Sequence, residues 1–280
     1  TILQVVLNLY LTVCRIGKTT ALQRQMIGGT SNSIGMAIAP LVISYLIFHG
    51  TPLHDIVTKQ FIIPLIILIL IMLIITLLVG KTQMPSIDNV RQAPGEKFDK
   101  SVWSFRNLKL GVWGIFFYVG IEVAVGANVN MYASELGGSF ASNATHMAAL
   151  YWGLLLLGRF LGSFIKQVPS EKQLVIASIG AIVLLVLAML TANPWILTLI
   201  GFFHSIMWPA IFTLATDQLG KYTTKASGVL TMGVIGGGII PLLQGIFADV
   251  MGGNWLWTWL LVIAGEAYIL YYGLNGYKQH

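Results

Sequence analysis

Long apolar runs, each closed by a short cluster of charged or turn-forming residues, fill most of this chain. A bilayer core of about 30 Å needs about 20 mainly apolar residues per helical crossing. By that measure nine helical spans are predicted, at 1–14, 27–48, 61–80, 110–133, 146–165, 173–192, 195–216, 226–250 and 255–276. The runs are continuous rather than alternating, so a porin-type barrel does not fit. Pro40, Pro64, Pro209 and Pro241 fall inside spans. Membrane helices tolerate such prolines because neighbouring groups re-satisfy the freed carbonyls.

Composition sharpens the picture. Of 280 residues, 56% are hydrophobic and only 9% charged, where a soluble domain carries about 25% charged residues. Mean hydropathy is +0.80. Water is therefore not the main solvent of this surface, and the apolar content excludes disorder. The chain reads as an all-α polytopic membrane protein. Its net charge of +6 comes from residues too sparse and segregated for a nucleic-acid groove. The single cysteine, Cys14, rules out a disulfide framework. Scattered histidines offer no metal-ligand spacing, so neither a metal nor another cofactor is expected.

Charge placement gives orientation. Fifteen of the sixteen basic residues, among them Arg15, Lys18, Lys81, Arg91, Arg159, Lys172, Lys221, Lys225 and Lys278, fall in alternate connections or span ends; only Lys59 falls on the other side. The positive-inside rule makes the basic side cytoplasmic, which puts the C-terminus there too. Three spans precede the long charged connection 81–109 and six follow it. A two-bundle transporter of twelve helices would look like this without its first three. The expected organisation is a partial N-terminal bundle (1–80), a cytoplasmic inter-bundle loop (81–109) and a C-terminal six-helix bundle (110–280), corresponding to helices 4–12 of 12 in a fragment.

Particular residues then suggest a family. They are Ser31-Asn32-Ser33-Ile34-Gly35 with Ala39-Pro40, Phe116-Phe117-Tyr118-Val119-Gly120-Ile121-Glu122-Val123, and Tyr151-Trp152-Gly153 with Gly158-Arg159-Phe160-Leu161-Gly162-Ser163. Further on come His204-Ser205-Ile206-Met207-Trp208-Pro209-Ala210-Ile211-Phe212, and Gly236-Gly237-Gly238-Ile239-Ile240-Pro241 with Gln244-Gly245 and Ala248-Asp249. Together these resemble the fucose:proton symporter family of the major facilitator superfamily, which includes glucose/galactose transporters. The resemblance implies a monomeric, multi-pass sugar importer of the bacterial inner membrane, driven by protons or sodium. Its partners are then a monosaccharide, the coupling ion and the lipid bilayer. There are departures. Gln4 and Asn8 stand where the family's fourth helix commonly has a glutamate and an asparagine, and an amide cannot take up a proton. Asn32 fits the fifth-helix pattern, while Gly29 replaces its glutamine.

Few residues could carry chemistry. Glu122 lies about twelve residues into a span, where a carboxylate costs about 2.5–3.5 kcal/mol on insertion scales. It is the candidate for proton or ion coupling; packing by a hydrogen bond to a neighbouring helix is the alternative. Tyr118 before it, and Gly126 and Asn130 after it, stand at steps of four on one face. His204 and Trp208, also four apart, could offer a sugar both a polar group and an aromatic face, or be a satisfied histidine beside a core ring. Family members often carry Asn in place of His204. The amides Gln4, Asn8, Asn32, Asn128, Asn130 and Gln244 can each bind sugar hydroxyls or link helices. Asn32 and Gln244 rank highest by the resemblance. Gly158, Arg159 and Gly162 resemble the superfamily's repeated loop motif, and suggest close helix packing and a gate or anchor. Glu266 has no assigned role. Arg15-Ile16-Gly17-Lys18-Thr19-Thr20 lacks the first glycine and the strand of a phosphate loop.

These features point to ion-coupled import of a monosaccharide by alternating access. A drug or metabolite exporter, an inactive truncated product and a polytopic membrane enzyme are the alternatives; the last lacks a cluster of catalytic groups at one face. Topology is directly testable. In a Cys14→Ser background, single cysteines at Lys81 and Lys225 should both resist a membrane-impermeant maleimide until the cytoplasmic side is opened. Labelling from opposite faces would contradict the span count.

Overall fold

The computed structural model describes residues 2–14, 17–41, 62–82 and 98–279. Residues 42–48 of the second expected span, Arg15, Lys59 and residues 83–97 of the charged connection lie outside them. So do the side chains of Ala39 and Pro40. Among the described residues the structure is helical, without strands. Its twelve α-helices are α1 (Ile2–Val13), α2 (Ala21–Leu41), α3 (Ile62–Lys81), α4 (Arg106–Leu136), α5 (Gly138–Ser142), α6 (Ala144–Gly162), α7 (Ser170–Thr191), α8 (Pro194–His204), α9 (Met207–Ala215), α10 (Thr223–Met232), α11 (Gly236–Val250) and α12 (Trp259–Tyr271). Each of the nine predicted spans is met by helix. By length and composition five stretches could cross a bilayer: Ile62–Lys81, Arg106–Leu136, Ser170–Thr191, Pro194–Ala215 and Gly220–Val250.

The chain divides into two compact units, Thr1–Ser31 with Ile87–His280, and Asn32–Ser86. In the smaller unit, α3 is apolar on every face and has no buried residue. A helix with no polar face needs an apolar surrounding. In the larger unit, α4 is central and packs against α6, α8, α9, α11 and α12. Its buried row runs through Ile115, Tyr118, Ile121, Ala124, Val125 and Val129.

Helix α7 illustrates the logic of the outer surface. Small residues Ala177, Ala181 and Ala188 are buried, while Ile176, Ile179, Val183, Val186 and Leu190 face outward. Small side chains let helix backbones approach, and large branched ones meet lipid, as in membrane bundles.

Two expected spans are segmented, for backbone reasons. The seventh, 195–216, breaks between α8 and α9 at Ser205–Ile206. Pro209 has no N–H to give the carbonyl of Ser205 four residues back. The eighth, 226–250, changes from α10 through a 3-10 turn, Gly233–Ile235, into α11. The glycines there serve contact with α4. A Cβ on Gly233 would lie 2.7 Å from the Val112 carbonyl oxygen, and one on Gly236 would collide with that of Phe116. A Cβ on Gly237 would meet mainly side chains, Val119 at 3.0 Å and Val123 at 3.4 Å.

Polar side chains close exposed helix ends, where the last carbonyls lack intrahelical donors. Arg24 donates from Nε to Leu11 O at 2.7 Å and from Nη2 to Thr12 O at 2.8 Å, capping α1. Asn107 Nδ2 does the same for α9, reaching Leu214 O at 3.2 Å and Ala215 O at 3.3 Å.

Gly236→Val should lower the stability of detergent-solubilised protein by about 1–3 kcal/mol, the usual cost of overpacking. Gly238→Ala, where a Cβ meets nothing within 4 Å, should be neutral or slightly stabilising. Thermal unfolding of the two variants checks the contrast.

Candidate functional site

Helix α4 brings the carboxylate. Glu122 is the seventeenth residue of a 31-residue helix, so it stands near mid-length, where water is scarce. Its Oε1 accepts from the Tyr118 hydroxyl at 2.6 Å, one helical turn earlier. The same oxygen pairs with Arg159 Nη2 of α6 at 3.3 Å. The two side chains of that ion pair are 13% and 10% exposed, so water reaches their edge without surrounding them. Gly126, one turn beyond Glu122, leaves room for Trp152; a Cβ there would lie 2.5 Å from that ring.

Arg159 sits in the last turn of α6, yet it is buried rather than displayed to the cytoplasmic water suggested by its place among the basic residues. Long side chains on a helix point back toward its N-terminus, which carries the guanidinium toward Glu122. Its Nε also donates to Ser205 O at 3.4 Å, and Nη1 to Gly29 O of α2 at 3.5 Å. Ser205 O is the carbonyl deprived of its helical donor by Pro209. A proline in α9 thus supplies an acceptor for an arginine on α6.

Gly158 and Gly162 make this approach possible. A Cβ on Gly158 would collide with Ser205 Oγ on the α8 side, and one on Gly162 with Met26 of α2. Gln23 of α2 adds a hydrogen bond from Nε2 to Ser163 O at 2.8 Å. The packing expected of Gly158 and Gly162 is present, directed at two different neighbours.

A second cluster adjoins the first. His204, the last residue of α8, is fully buried. Its Nδ1 lies 2.6 Å from the Tyr151 hydroxyl and its Nε2 2.6 Å from Glu266 Oε1. Tyr151 donates in turn to the backbone carbonyl of Glu122 at 3.0 Å. Both ring nitrogens of His204 are therefore engaged by protein. Trp208 lies beyond the helix break and is partly exposed. Its ring stacks on Phe212 at 6.2 Å and lies 6.5 Å from Tyr118, whose other neighbour is the His204 ring at 6.2 Å. His204 and Trp208 thus flank one tyrosine, although the break between α8 and α9 ends their shared helix.

The amides separate into two groups. Gln244 of α11 is fully buried. It accepts from Asn128 Nδ2 at 2.9 Å and donates to Thr258 Oγ1 at 3.1 Å, tying α4, α11 and the turn before α12 together. Asn8 is buried on α1, where its backbone carbonyl takes Gln25 Nε2 at 2.8 Å; its own Nδ2 finds no partner among the described residues. Asn130 is partly buried, and its Oδ1 likewise lacks a partner. Gln4 is exposed on α1, and Asn32 is exposed in the smaller unit.

Sequence reasoning gave Glu266 no role, and named Tyr151 only as part of the motif Tyr151-Trp152-Gly153 without a bonding role. The signal for Glu266 was present: a carboxylate deep in an apolar span must be matched. Tyr151 had no such signal, because tyrosines are common in apolar helices and its partners come from two other helices, α4 and α8. No group of histidine, cysteine or acidic residues that could hold a metal ion occurs among the described residues.

Comparison with known proteins gives the family and the fold. The family model described as Major Facilitator Superfamily matches residues 23–240. A glucose/galactose transporter of Brucella abortus biovar 1 (strain 9-941) is 34% identical over 288 aligned residues, covering 100% of this chain and 69% of the relative. A Helicobacter pylori (strain J99) relative is 35% identical over 263 residues, covering 89% of this chain and 64% of its own length. The L-fucose-proton symporter of Escherichia coli K12 is 28% identical over 199 residues, covering 68% of this chain and 45% of the symporter. The chain therefore spans about two thirds of the length of its glucose/galactose relatives. The crystal structure of FucP in the outward conformation superposes with a TM-score of 0.82 at 23% identity, covering 98% of this chain and 72% of FucP. That likeness establishes the fold. The proteins named here are transporters and symporters, not enzymes. This chain is an integral membrane protein belonging to the Major Facilitator Superfamily.

Proposed function

We propose that the chain belongs to an ion-coupled importer of a monosaccharide of the glucose, galactose or fucose class, working by alternating access in a bacterial inner membrane with its C-terminus cytoplasmic. Residues 1–80 then contribute to one bundle, 81–109 to the cytoplasmic connection and 110–280 to the other bundle. The names of the relatives support the substrate class. The observation that carries the coupling is the Glu122 carboxylate, held near the middle of α4 by one hydroxyl and one guanidinium.

That geometry gives protonation a mechanical consequence. As an anion, Glu122 makes a charge-assisted bond to Arg159, which is about twice as strong as a neutral one. A proton on the carboxyl removes the charge and weakens the hold. Arg159 is also bonded to the Gly29 carbonyl on α2, beside the Gln23–Ser163 bond between α2 and the end of α6. Loading a proton on Glu122 thus loosens a contact between helices that alternating access must separate. Gly158, Arg159 and Gly162 serve this gate. The sugar is met by the groups of the larger unit that keep an open polar atom or an exposed side chain: Trp208, Asn130 and, on α1, Gln4 and Asn8. His204 and Gln244 frame that site, since their polar atoms are already taken by protein.

In proteoliposomes of the intact parent protein, Glu122→Gln should abolish proton-driven sugar accumulation by at least tenfold, a change of about 1.4 kcal/mol or more, and keep equilibrium exchange. Unchanged, pH-dependent accumulation would exclude Glu122 from coupling. Arg159→Leu should destabilise the protein by about 3 kcal/mol, because removing one member of a buried pair strands the other charge. Adding Glu122→Gln to Arg159→Leu should restore part of that stability. Equal or greater loss in the double variant would show that the ion pair is not what Arg159 contributes.

A further inference from the structure

Among the described residues, Tyr151, His204 and Glu266 form a buried titratable cluster that coupling through Glu122 leaves unused. All three are fully buried. They join α12 to α8, α8 to α6, and α6 to the backbone of Glu122 on α4.

Proton counting fixes the direction of every bond. A backbone carbonyl only accepts. Tyr151 must therefore spend its one hydroxyl proton on the Glu122 carbonyl, and it can only accept from His204. The Nδ1 of His204 is then the N–H, and Nε2 faces Glu266 Oε1. One proton occupies that last 2.6 Å contact. Whether nitrogen or oxygen holds it, the pair carries no net charge. Removing that proton, or adding another, would leave an uncompensated charge in a fully buried place, which is costly. The ionisable groups on the surrounding helices are Arg106, Lys109, Tyr118, Glu122, Tyr132 and Glu135 of α4, His146 and Arg159 of α6, and Tyr268 and Tyr271 of α12, with Tyr272 just past its end. Glu171 and Lys172 lie in the first turn of α7, and Asp249 near the end of α11. Arg159, the nearest cation among them by bonding, is committed to Glu122.

We infer that Glu266, His204 and Tyr151 act as a charge-neutral strap of fixed donation direction, whose task is to position Glu122 against Arg159 rather than to carry the transported proton. Its effect on transport rests on the coupling role of Glu122; its proton arrangement does not.

Glu266→Gln separates the two possibilities, because an amide nitrogen can donate to Nε2 and keep every other bond in the same direction. The strap predicts that Glu266→Gln leaves the proton-to-sugar ratio and the pH midpoint of uptake unchanged. Glu266→Leu and Tyr151→Phe, which break the chain, should move that midpoint by about one pH unit while exchange continues. Loss of gradient-driven accumulation in Glu266→Gln with exchange intact would overturn the inference, by making Glu266 a proton carrier. Nitrogen NMR of labelled histidine in the unmodified protein gives an answer that needs no variant to fold and no transport assay. His204 should show a protonated Nδ1 at every pH at which the protein stays folded. A bare Nδ1, or one that titrates, would overturn the strap even if Glu122 proves to couple transport. A Glu122→Gln failure with the His204 signal as expected would overturn only the coupling role.

Discussion

A carboxylate halfway along an apolar helix must be matched by donors, and much of the larger unit answers to that demand. Glu122 cannot be solvated by lipid, so its oxygen is met by Tyr118 from its own helix and Arg159 from α6. Holding Arg159 there needs further acceptors for its remaining N–H groups, since an unmatched guanidinium would be as costly as an unmatched carboxylate. Those acceptors are carbonyls on α2 and at the α8–α9 break. The charge pair therefore helps set where α6 lies and why Gly158 and Gly162 are small.

Backbone irregularity and chemistry are linked in the same way on the other side of α4. Gly233 and Gly236 let the α10–α11 region approach the carbonyls of Val112 and Phe116. That closeness brings Gln244 within reach of Asn128. An isolated interhelical amide bond adds modest stability in a membrane, but several at one level fix the register between helices. The fully buried Gln244 and the Tyr151–His204–Glu266 chain are two such devices, one on each side of α4's central row.

Much of the architecture could be read from the chain alone. Long continuous apolar runs located the helices because hydrocarbon imposes a length and forbids unmatched backbone groups. Pro209 was expected to be tolerated within its span, and the segmentation there appears only with the neighbours in place. Glu122 stood out because a charge in such a run is expensive. The site around it was less legible. Arg159 was expected to serve as a gate or anchor at the cytoplasmic end of its helix, and only its backward reach on α6 reveals it as the partner of Glu122. His204 and Trp208 were paired by their spacing of four, a rule that the helix break suspends; Tyr118 reunites them.

The sequence by itself determined that this is a membrane helical protein, where its apolar helices lie, and which few polar groups must be satisfied. These are properties of single segments in a defined solvent, and local composition is enough to express them. Only the tertiary structure decided which polar group satisfies which. Tyr151, Gln244 and Glu266 each bond across helices distant in sequence, and no spacing rule within one helix encodes such a pairing. Whether a buried amide or imidazole faces a ligand or a neighbouring helix depends on its partner's position, and that is fixed by how the helices pack.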